Sequence, residues 1–406
     1  MEVKSLILKH QAKVFPVLDI ALNGVNYFFH IFCSWYLSQR SYGTLNAILS
    51  ILAILLVTGI SFQTFTAKEV AKKGVGAKRI YKTAFVYVVI ICLFFLSFSG
   101  RIATFTRGSH LALGITLSIF LLNLFLSILR GIFQGEKQFL NLNINFYIEV
   151  LSKILFLVVF LPRFNRIEVV LLSVAFGMCT AMLHGIIKLK IKRVIVRGEG
   201  SISPVAKQTI LIFLSNFFIY YFTSIDMIII NYNLSSISGI YAVVLRYSQI
   251  ILFVSFSLIT VFIPNLSSQV GDKKVFKERA RKYFFILLGV QFLMLIAYET
   301  ILPLSVAYLF GAEYIKASEY LLRGAFMYIA LVDSFYLVNL NIILDRRKYI
   351  LPLGGTALLF SFFLLHYGRS IDYFLYGGIG FYTLLFLTLF TIFYFEGAVK
   401  DEEGIC

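Results

Sequence analysis

Residues 111–133 read LALGITLSIFLLNLFLSILRGIF, and this stretch indicates what kind of fold the chain adopts. It is continuously apolar apart from a few small polar side chains and one charge, Arg130. A helix of about 20 apolar residues is long enough to cross the roughly 30 Å hydrocarbon core of a bilayer. Since polar residues do not alternate with apolar ones, the run predicts a membrane-spanning helix rather than a strand of a β-barrel.

The same kind of run recurs along the whole chain. Of the 406 residues, 59% are hydrophobic and 14% are charged, and the mean hydropathy is +0.87. In soluble globular proteins about a quarter of the residues are charged, so the composition excludes that class. The sequence predicts an all-α integral membrane protein with 12 transmembrane helices, placed at 14–37, 45–66, 83–100, 111–133, 138–161, 167–187, 208–232, 239–263, 283–310, 318–344, 349–367 and 373–395.

The net charge of +17 is a topology signal and does not indicate nucleic-acid binding. Of the 37 Lys and Arg residues, 26 fall on the side of the N-terminus, seven fall on the opposite side and four lie within spans. Positive residues concentrate on the cytoplasmic side, so both termini are expected there, in a multi-pass protein of the cytoplasmic (inner) membrane. Lys72, Lys190 and Lys277 are then predicted to be cytoplasmic, and Arg107 and Lys316 to be outside.

A polar interruption near the middle divides the twelve windows into two sets of six. We expect an N-lobe at 1–190, a cytoplasmic linker at 191–207 and a C-lobe at 208–406. A shift of 196 residues superposes Gly43 at the start of span two on Gly239 at the start of span eight. Internal repeats with a binding site at their interface are a recurrent transporter plan, so the pattern indicates a duplication.

Four short strings connect the chain with a known family. They are SYG at 41–43, IDMIII at 225–230 followed by GIY at 239–241, IP at 263–264, and LFGAEY at 309–314. Their order and spacing resemble the polysaccharide-transporter branch of the multidrug/oligosaccharidyl-lipid/polysaccharide (MOP) exporter superfamily, the Wzx-type O-antigen flippases. The resemblance covers essentially the whole chain.

The resemblance implies a MATE-like fold, in which two six-helix lobes form a V and alternate in access. The implied function is that of a flippase, which moves a polyprenyl-diphosphate-linked oligosaccharide from the cytoplasmic to the outer leaflet. The expected partners are this substrate, membrane lipid, a proton or sodium ion, and polysaccharide polymerase or glycosyltransferases. No cofactor is expected.

Polar stripes run along three predicted spans. They consist of Asp19, Asn23, Asn26 and His30 in span one, Asn123, Ser127, Arg130 and Gln134 in span four, and Asn141, Asn145, Glu149 and Lys153 in span five. At 100° per residue the first set falls within an arc of about 60°. Facing lipid, such groups would lack partners, so they face protein or water. These polar side chains either form hydrogen bonds between neighbouring helices or line a hydrated cavity between the lobes.

Cations within the spans are the candidates for binding a diphosphate. Arg246 has no acid nearby in sequence and is the best of them, because a guanidinium binds phosphate oxygens in a bidentate fork. Lys153 has Glu149 four residues earlier, and an i,i+4 ion pair is a sufficient structural explanation for it. Arg130 and Arg323 lie near span ends, where a long side chain can reach the interface. The predicted substrate-binding residues are Arg246, Arg130, Lys153, Arg323, Asn23, Asn26, Asn123 and Asn145.

Acids within the spans are the candidates for coupling transport to a proton or sodium gradient. The predicted set is Asp19, Glu149, Asp226, Glu299 and Asp333. Asp19 is the strongest, because it lies in the first polar stripe and a first-helix Asp has a coupling role in some drug exporters of the superfamily. Glu299 precedes Pro303 by four residues, and a proline interrupts the helical hydrogen bonds, so a bend is expected there.

Other function classes fit the sequence less well. No predicted outer loop is longer than about ten residues, and no GxxxxGK[ST] phosphate loop occurs, so an enzyme or an ATPase is not expected. The four cysteines have no paired spacing that indicates a disulfide or a metal site. The alternative is a MATE-type cation-coupled exporter of drugs or other small molecules, which should have an acidic, aromatic cavity. A lipid II flippase typically has fourteen helices, whereas twelve are predicted here.

Overall fold

The computed structural model describes residues 11–71, 86, 89–189 and 203–402, and the side chains at 11–21, 23, 203–212, 273 and 395–402 lie outside this description. The described elements are all helices, and no strand occurs among them, so the prediction of an all-α protein is confirmed. The chain divides into two compact units, Met1–Phe213 and Leu214–Cys406. Most of the predicted linker lies outside the described residues, and the predicted lobe boundaries stay predictions.

Seven helices of the first unit fall within the described residues. They are α1 (Gln11–Tyr36), α2 (Gln39–Ala71), α3 (Val89–Ser97), α4 (Ser99–Thr106), α5 (His110–Gly135), α6 (Phe139–Phe164) and α7 (Ile167–Leu189). The predicted span at 83–100 includes α3 and only the first two residues of α4, and these two helices are bent by 65° relative to each other. The sequence LSFSG at the bend contains two serines and a glycine, which favour such breaks.

Glycines of α5 allow it to pack closely against α2. A Cβ atom added to Gly131 would lie 2.6 Å from the carbonyl oxygen of Gln63, and one added to Gly135 would lie 2.7 Å from that of Ala67. These two glycines form a GxxxG pattern, which lets helix backbones approach within a membrane. The close approach fixes the position of the C-terminal half of α5, which carries Arg130.

The helices of the second unit include two interruptions that the sequence-based windows did not separate, at 223–224 and at Ile301. The elements are α8 (Ser203–Phe222), which begins before the unit boundary, α9 (Ile225–Asn233), α10 (Ser238–Ser267), α11 (Lys273–Thr300), α12 (Leu302–Phe310), a 3-10 helix (Ala312–Tyr320), α13 (Leu321–Ile343), α14 (Ile350–Tyr367) and α15 (Ile371–Glu402). The predicted span 283–310 is interrupted at Ile301, and Pro303 lies in the first turn of α12. Proline has no N–H to donate, so the first turn of a helix, where no intrahelical partner is needed, accommodates it without loss of a hydrogen bond.

The described helices are those of a multi-pass membrane protein. Ten are long and apolar enough to cross a bilayer, and eleven if α3 and α4 together form one span. Helix α1 has 26 residues and lies where the first predicted span was placed, but it is not among these ten. The count of twelve spans and the cytoplasmic location of the termini stay predictions.

Candidate functional site

Arg130 is the centre of a buried polar cluster in the first unit. Its guanidinium forms an ion pair with Glu149 of α6, and its Nε donates a hydrogen bond of 2.8 Å to Oδ1 of Asn145. The guanidinium also lies 4.0 Å above the ring of Phe146. Only 5% of Arg130 is exposed, so the expectation that it could reach the membrane interface is wrong. The physical reason is that α6 supplies a counterion within the bundle.

Asn145 extends this cluster to α7. The amide is fully buried, and its Nδ2 donates to the carbonyl oxygen of Ala181 at 2.6 Å and lies 3.3 Å from Nδ1 of His184. The Nε2 atom of His184 is buried and has no hydrogen-bond partner among the described residues. Sequence reasoning missed this histidine. A lone imidazole in a predominantly apolar helix was the signal that could have identified it.

Lys153 lies one turn after Glu149 on α6 but makes different contacts from those predicted. Its Nζ donates to Oδ1 of Asn26 on α1 at 2.5 Å and lies 4.4 Å above the ring of Phe29. The carboxylate of Glu149 still attracts Lys153 through space, but it is ion-paired with Arg130. The predicted Glu149–Lys153 ion pair is therefore wrong. The direct partners of the ammonium among the described side chains are a neutral amide and an aromatic ring.

The remaining candidates of the first unit divide into two groups. Asn123 is buried between α5 and α2, where a Cβ atom added to Gly59 would lie 2.1 Å from its Nδ2. This contact indicates a role in helix packing. Asp19 and Asn23 lie on α1, but their side chains are outside the described residues, so their predicted roles stay predictions.

The second unit also contains a buried acid, Asp226. It is fully buried, and its carboxylate accepts hydrogen bonds from the hydroxyl of Tyr241 at 2.7 Å and from the backbone N–H of Met227 at 2.8 Å. The hydroxyls of Tyr328 and Tyr382 are close enough to interact with it electrostatically. Asp226 lies in the first turn of α9, where the helix dipole favours a negative charge.

Arg246 is half-buried on α10, the helix that also carries Tyr241. Its Nη1 donates to Oε1 of Gln249 at 2.8 Å. Arg246, the predicted phosphate ligand, lies five residues after Tyr241, whose hydroxyl donates to the predicted coupling acid Asp226.

Three further predicted residues of the second unit lie apart from this cluster. Asp333 is buried and accepts a hydrogen bond of 3.0 Å from Nε2 of Gln291. Glu299 is exposed on α11. Arg323 forms an ion pair with Asp372, and about a third of its side chain is exposed. Asp333 and Arg323 of α13 therefore contact side chains of the neighbouring helices α11 and α15.

Comparisons with known proteins give a result only at the level of structure. No protein-family model and no curated protein sequence matches the chain. A multidrug-resistance MATE family transporter of the MOP superfamily, solved facing inward, superposes with a TM-score of 0.72 at 13% identity over 93% of this chain and 95% of its own. The MATE multidrug transporter DinF-BH superposes with a TM-score of 0.64 at 14% identity, over 96% of this chain and 95% of its own.

A third similar structure has a different binding pocket. It is a MOP superfamily transporter from Pyrococcus furiosus, described as having a pocket of reversed polarity, with a TM-score of 0.60 at 14% identity over 94% of each chain. Such low identities with nearly complete coverage concern the fold alone. The chain therefore has the MATE-like fold found in transporters of the MOP superfamily.

Proposed function

We propose that the chain is a flippase that moves a polyprenyl-diphosphate-linked oligosaccharide from the cytoplasmic to the outer leaflet of the cytoplasmic membrane by alternating access. The fold supports a membrane transporter, and the four sequence strings support this branch of it. The observation that carries the choice of substrate is the environment of Lys153. Polysaccharide polymerase or glycosyltransferases are the partners that such a substrate implies.

The charge of Lys153 favours an anionic ligand. A charge within the membrane is costly, and such residues usually pair with an opposite charge or mark a transport pathway. Arg130 is neutralised by Glu149, whereas Lys153 is held directly by the amide of Asn26 and the ring of Phe29. A phosphate oxygen would supply the counterion that these two partners do not. In the second unit, we propose Arg246 as a further phosphate ligand.

The acids of the structure are less suited to binding a cationic substrate directly. Glu149 is ion-paired, Asp333 accepts from Gln291, and Asp226 is fully buried. We propose instead that Asp226 and Asp333 take up the proton or sodium ion that drives the cycle. Asp19 stays a candidate for the same role.

The MATE-type exporter is the second candidate, and the surroundings of Asp226 favour it. Its carboxylate is bonded to Tyr241 and lies near two more tyrosines, which is an acidic, aromatic cluster of the kind that recognises organic cations. The cluster is closed in this structure, because Asp226 and Tyr241 have no exposed surface. An exporter would need to open it to its substrate.

The test is a flipping assay in proteoliposomes with a polyprenyl-diphosphate-linked oligosaccharide. We expect Lys153→Gln to reduce transport roughly 30-fold, which corresponds to about 2 kcal/mol for a lost buried charge contact. Lys153→Arg should retain part of the activity. Lys188→Gln, at an exposed lysine of the same unit, is the matched control and should have no effect.

The same proteoliposomes distinguish the two candidates. Uptake of a cationic dye by the unaltered protein, abolished by Asp226→Asn, with no flipping of the lipid-linked oligosaccharide, would establish the exporter and overturn the flippase. Thermal stability of each variant in detergent should be measured in parallel, so that loss of transport is not confused with loss of folding.

A further inference from the structure

An open cavity of about 400 Å³ lies at one end of the second unit, separate from the polar clusters described above. Its wall is aromatic and is supplied by three helices, α11, α13 and α15. The ring of Phe284 stacks on Tyr336 with centroids 5.8 Å apart, and on Phe386 at the same distance. The hydroxyl of Tyr336 donates to the carbonyl oxygen of Ala280 at 2.7 Å, which ties α13 to α11 beside the cavity. The cavity is thus built from packed elements.

One side of the cavity is cationic. Lys274, Lys277 and Arg281 line it at positions i, i+3 and i+7 of α11, so they lie along one face of the helix. All three are exposed, and none of them forms an ion pair with a described side chain. Glu278 is the one acid among the lining residues, so positive charge predominates there.

The position of the cavity along the helices indicates which side of the membrane it faces. It lies at the start of α11 and toward the ends of α13 and α15, all of which the distribution of basic residues assigns to the cytoplasmic side. Arg346, which follows α13, donates to the carbonyl oxygen of Phe393 at 3.1 Å and adds another cation nearby. The cytoplasmic leaflet contains anionic lipids, which attract basic residues at this depth.

We propose that this cavity binds an anionic phospholipid of the cytoplasmic leaflet. The lipid phosphate contacts Lys277 and Arg281, and one acyl chain lies against the rings of Phe284, Phe386 and Phe390. Apolar walls beside cations match a molecule with both a hydrocarbon chain and a phosphate, whereas a soluble anion would leave the aromatic wall uncovered. This lipid is a resident ligand and is not the transported substrate.

The test measures phosphatidylglycerol retained by the purified full-length protein in mixed micelles with phosphatidylcholine, by native mass spectrometry. Each cation near an anionic headgroup changes affinity about fivefold, so Lys277→Gln with Arg281→Gln should weaken binding about 25-fold. Arg279→Gln with Lys282→Gln is the matched control, because these residues are exposed on the same helix but do not line the cavity. The control should change binding less than twofold. An equal loss of phosphatidylglycerol affinity in both double variants would show a general attraction of the lipid to surface cations and would overturn the proposal.

A second arm tests the acyl-chain contact. Phe284→Ala should weaken phosphatidylglycerol binding, while Phe285→Ala, whose ring is 63% exposed and does not line the cavity, should not. An excess of glycerol phosphate should fail to displace the lipid. Displacement by glycerol phosphate, with no effect of Phe284→Ala, would mean that the cations bind a headgroup alone and would refute a lipid site. The charge variants alter exposed side chains only, so they keep the test valid if Phe284→Ala does not fold.

Discussion

The Arg130–Glu149 ion pair makes a quantitative prediction about the first unit. The side chains are only 7% and 17% exposed, so Arg130→Met would leave a mostly buried carboxylate without its counterion. Breaking a buried pair in this way costs about 3–5 kcal/mol, and the partial exposure of Glu149 favours the lower end, about 3 kcal/mol. For a unit of this size that corresponds to a fall in the midpoint of thermal unfolding of roughly 10 °C. Adding Glu149→Gln to Arg130→Met removes the uncompensated charge and should recover most of the lost stability.

The assay is thermal unfolding of the purified protein in detergent, followed by intrinsic fluorescence, for both single variants and the double variant. Arg323→Met is the control, because its ion pair with Asp372 is 34% and 44% exposed and should contribute less than about 1 kcal/mol. If the double variant is as unstable as Arg130→Met alone, the loss comes from packing and not from an uncompensated charge. An equally large loss for Arg323→Met would also refute the reasoning.

Three further predictions concern packing, the buried acid and topology. Gly131→Ala should destabilise the first unit by about 1–3 kcal/mol in the same unfolding assay, because its Cβ would meet the backbone of α2, while Gly114→Ala, with nothing within 4 Å, should not. Tyr241→Phe should destabilise the second unit by about 1–3 kcal/mol, because it removes a hydrogen-bond donor to Asp226. Combining it with Asp226→Asn should make the loss of stability smaller than the sum of the two single losses. Additive losses would contradict an energetic coupling between the two side chains. A cysteine at Lys277, in a chain lacking its native cysteines, should react with an impermeant reagent only after cells are opened, and labelling in intact cells would refute the predicted orientation.

The interruption between α8 and α9 illustrates why sequence patterns did not give all of the helix boundaries. The predicted span 208–232 contains neither proline nor glycine at the break, and Thr223 and Ser224 alone do not distinguish a break from a continuous helix. In the structure the helix ends at Phe222, and the carbonyl oxygen of that residue accepts a hydrogen bond of 2.9 Å from the hydroxyl of Tyr382 on α15. A carbonyl released from the helix needs such a partner within a membrane. That partner is 160 positions away and is brought close only by folding.

By itself, the sequence determined that the chain is a bundle of membrane-spanning helices and which spans contain charges, because apolar length and the cost of a charge in lipid are properties of local composition. Proline chemistry likewise indicated the interruption before Pro303. Only the tertiary structure decided which partner each charge takes. Glu149 has Lys153 one turn away on its own helix, yet it pairs with Arg130 on α5. Helical spacing permits several partners, and the choice between them depends on which neighbouring helix approaches closely enough to supply the counterion.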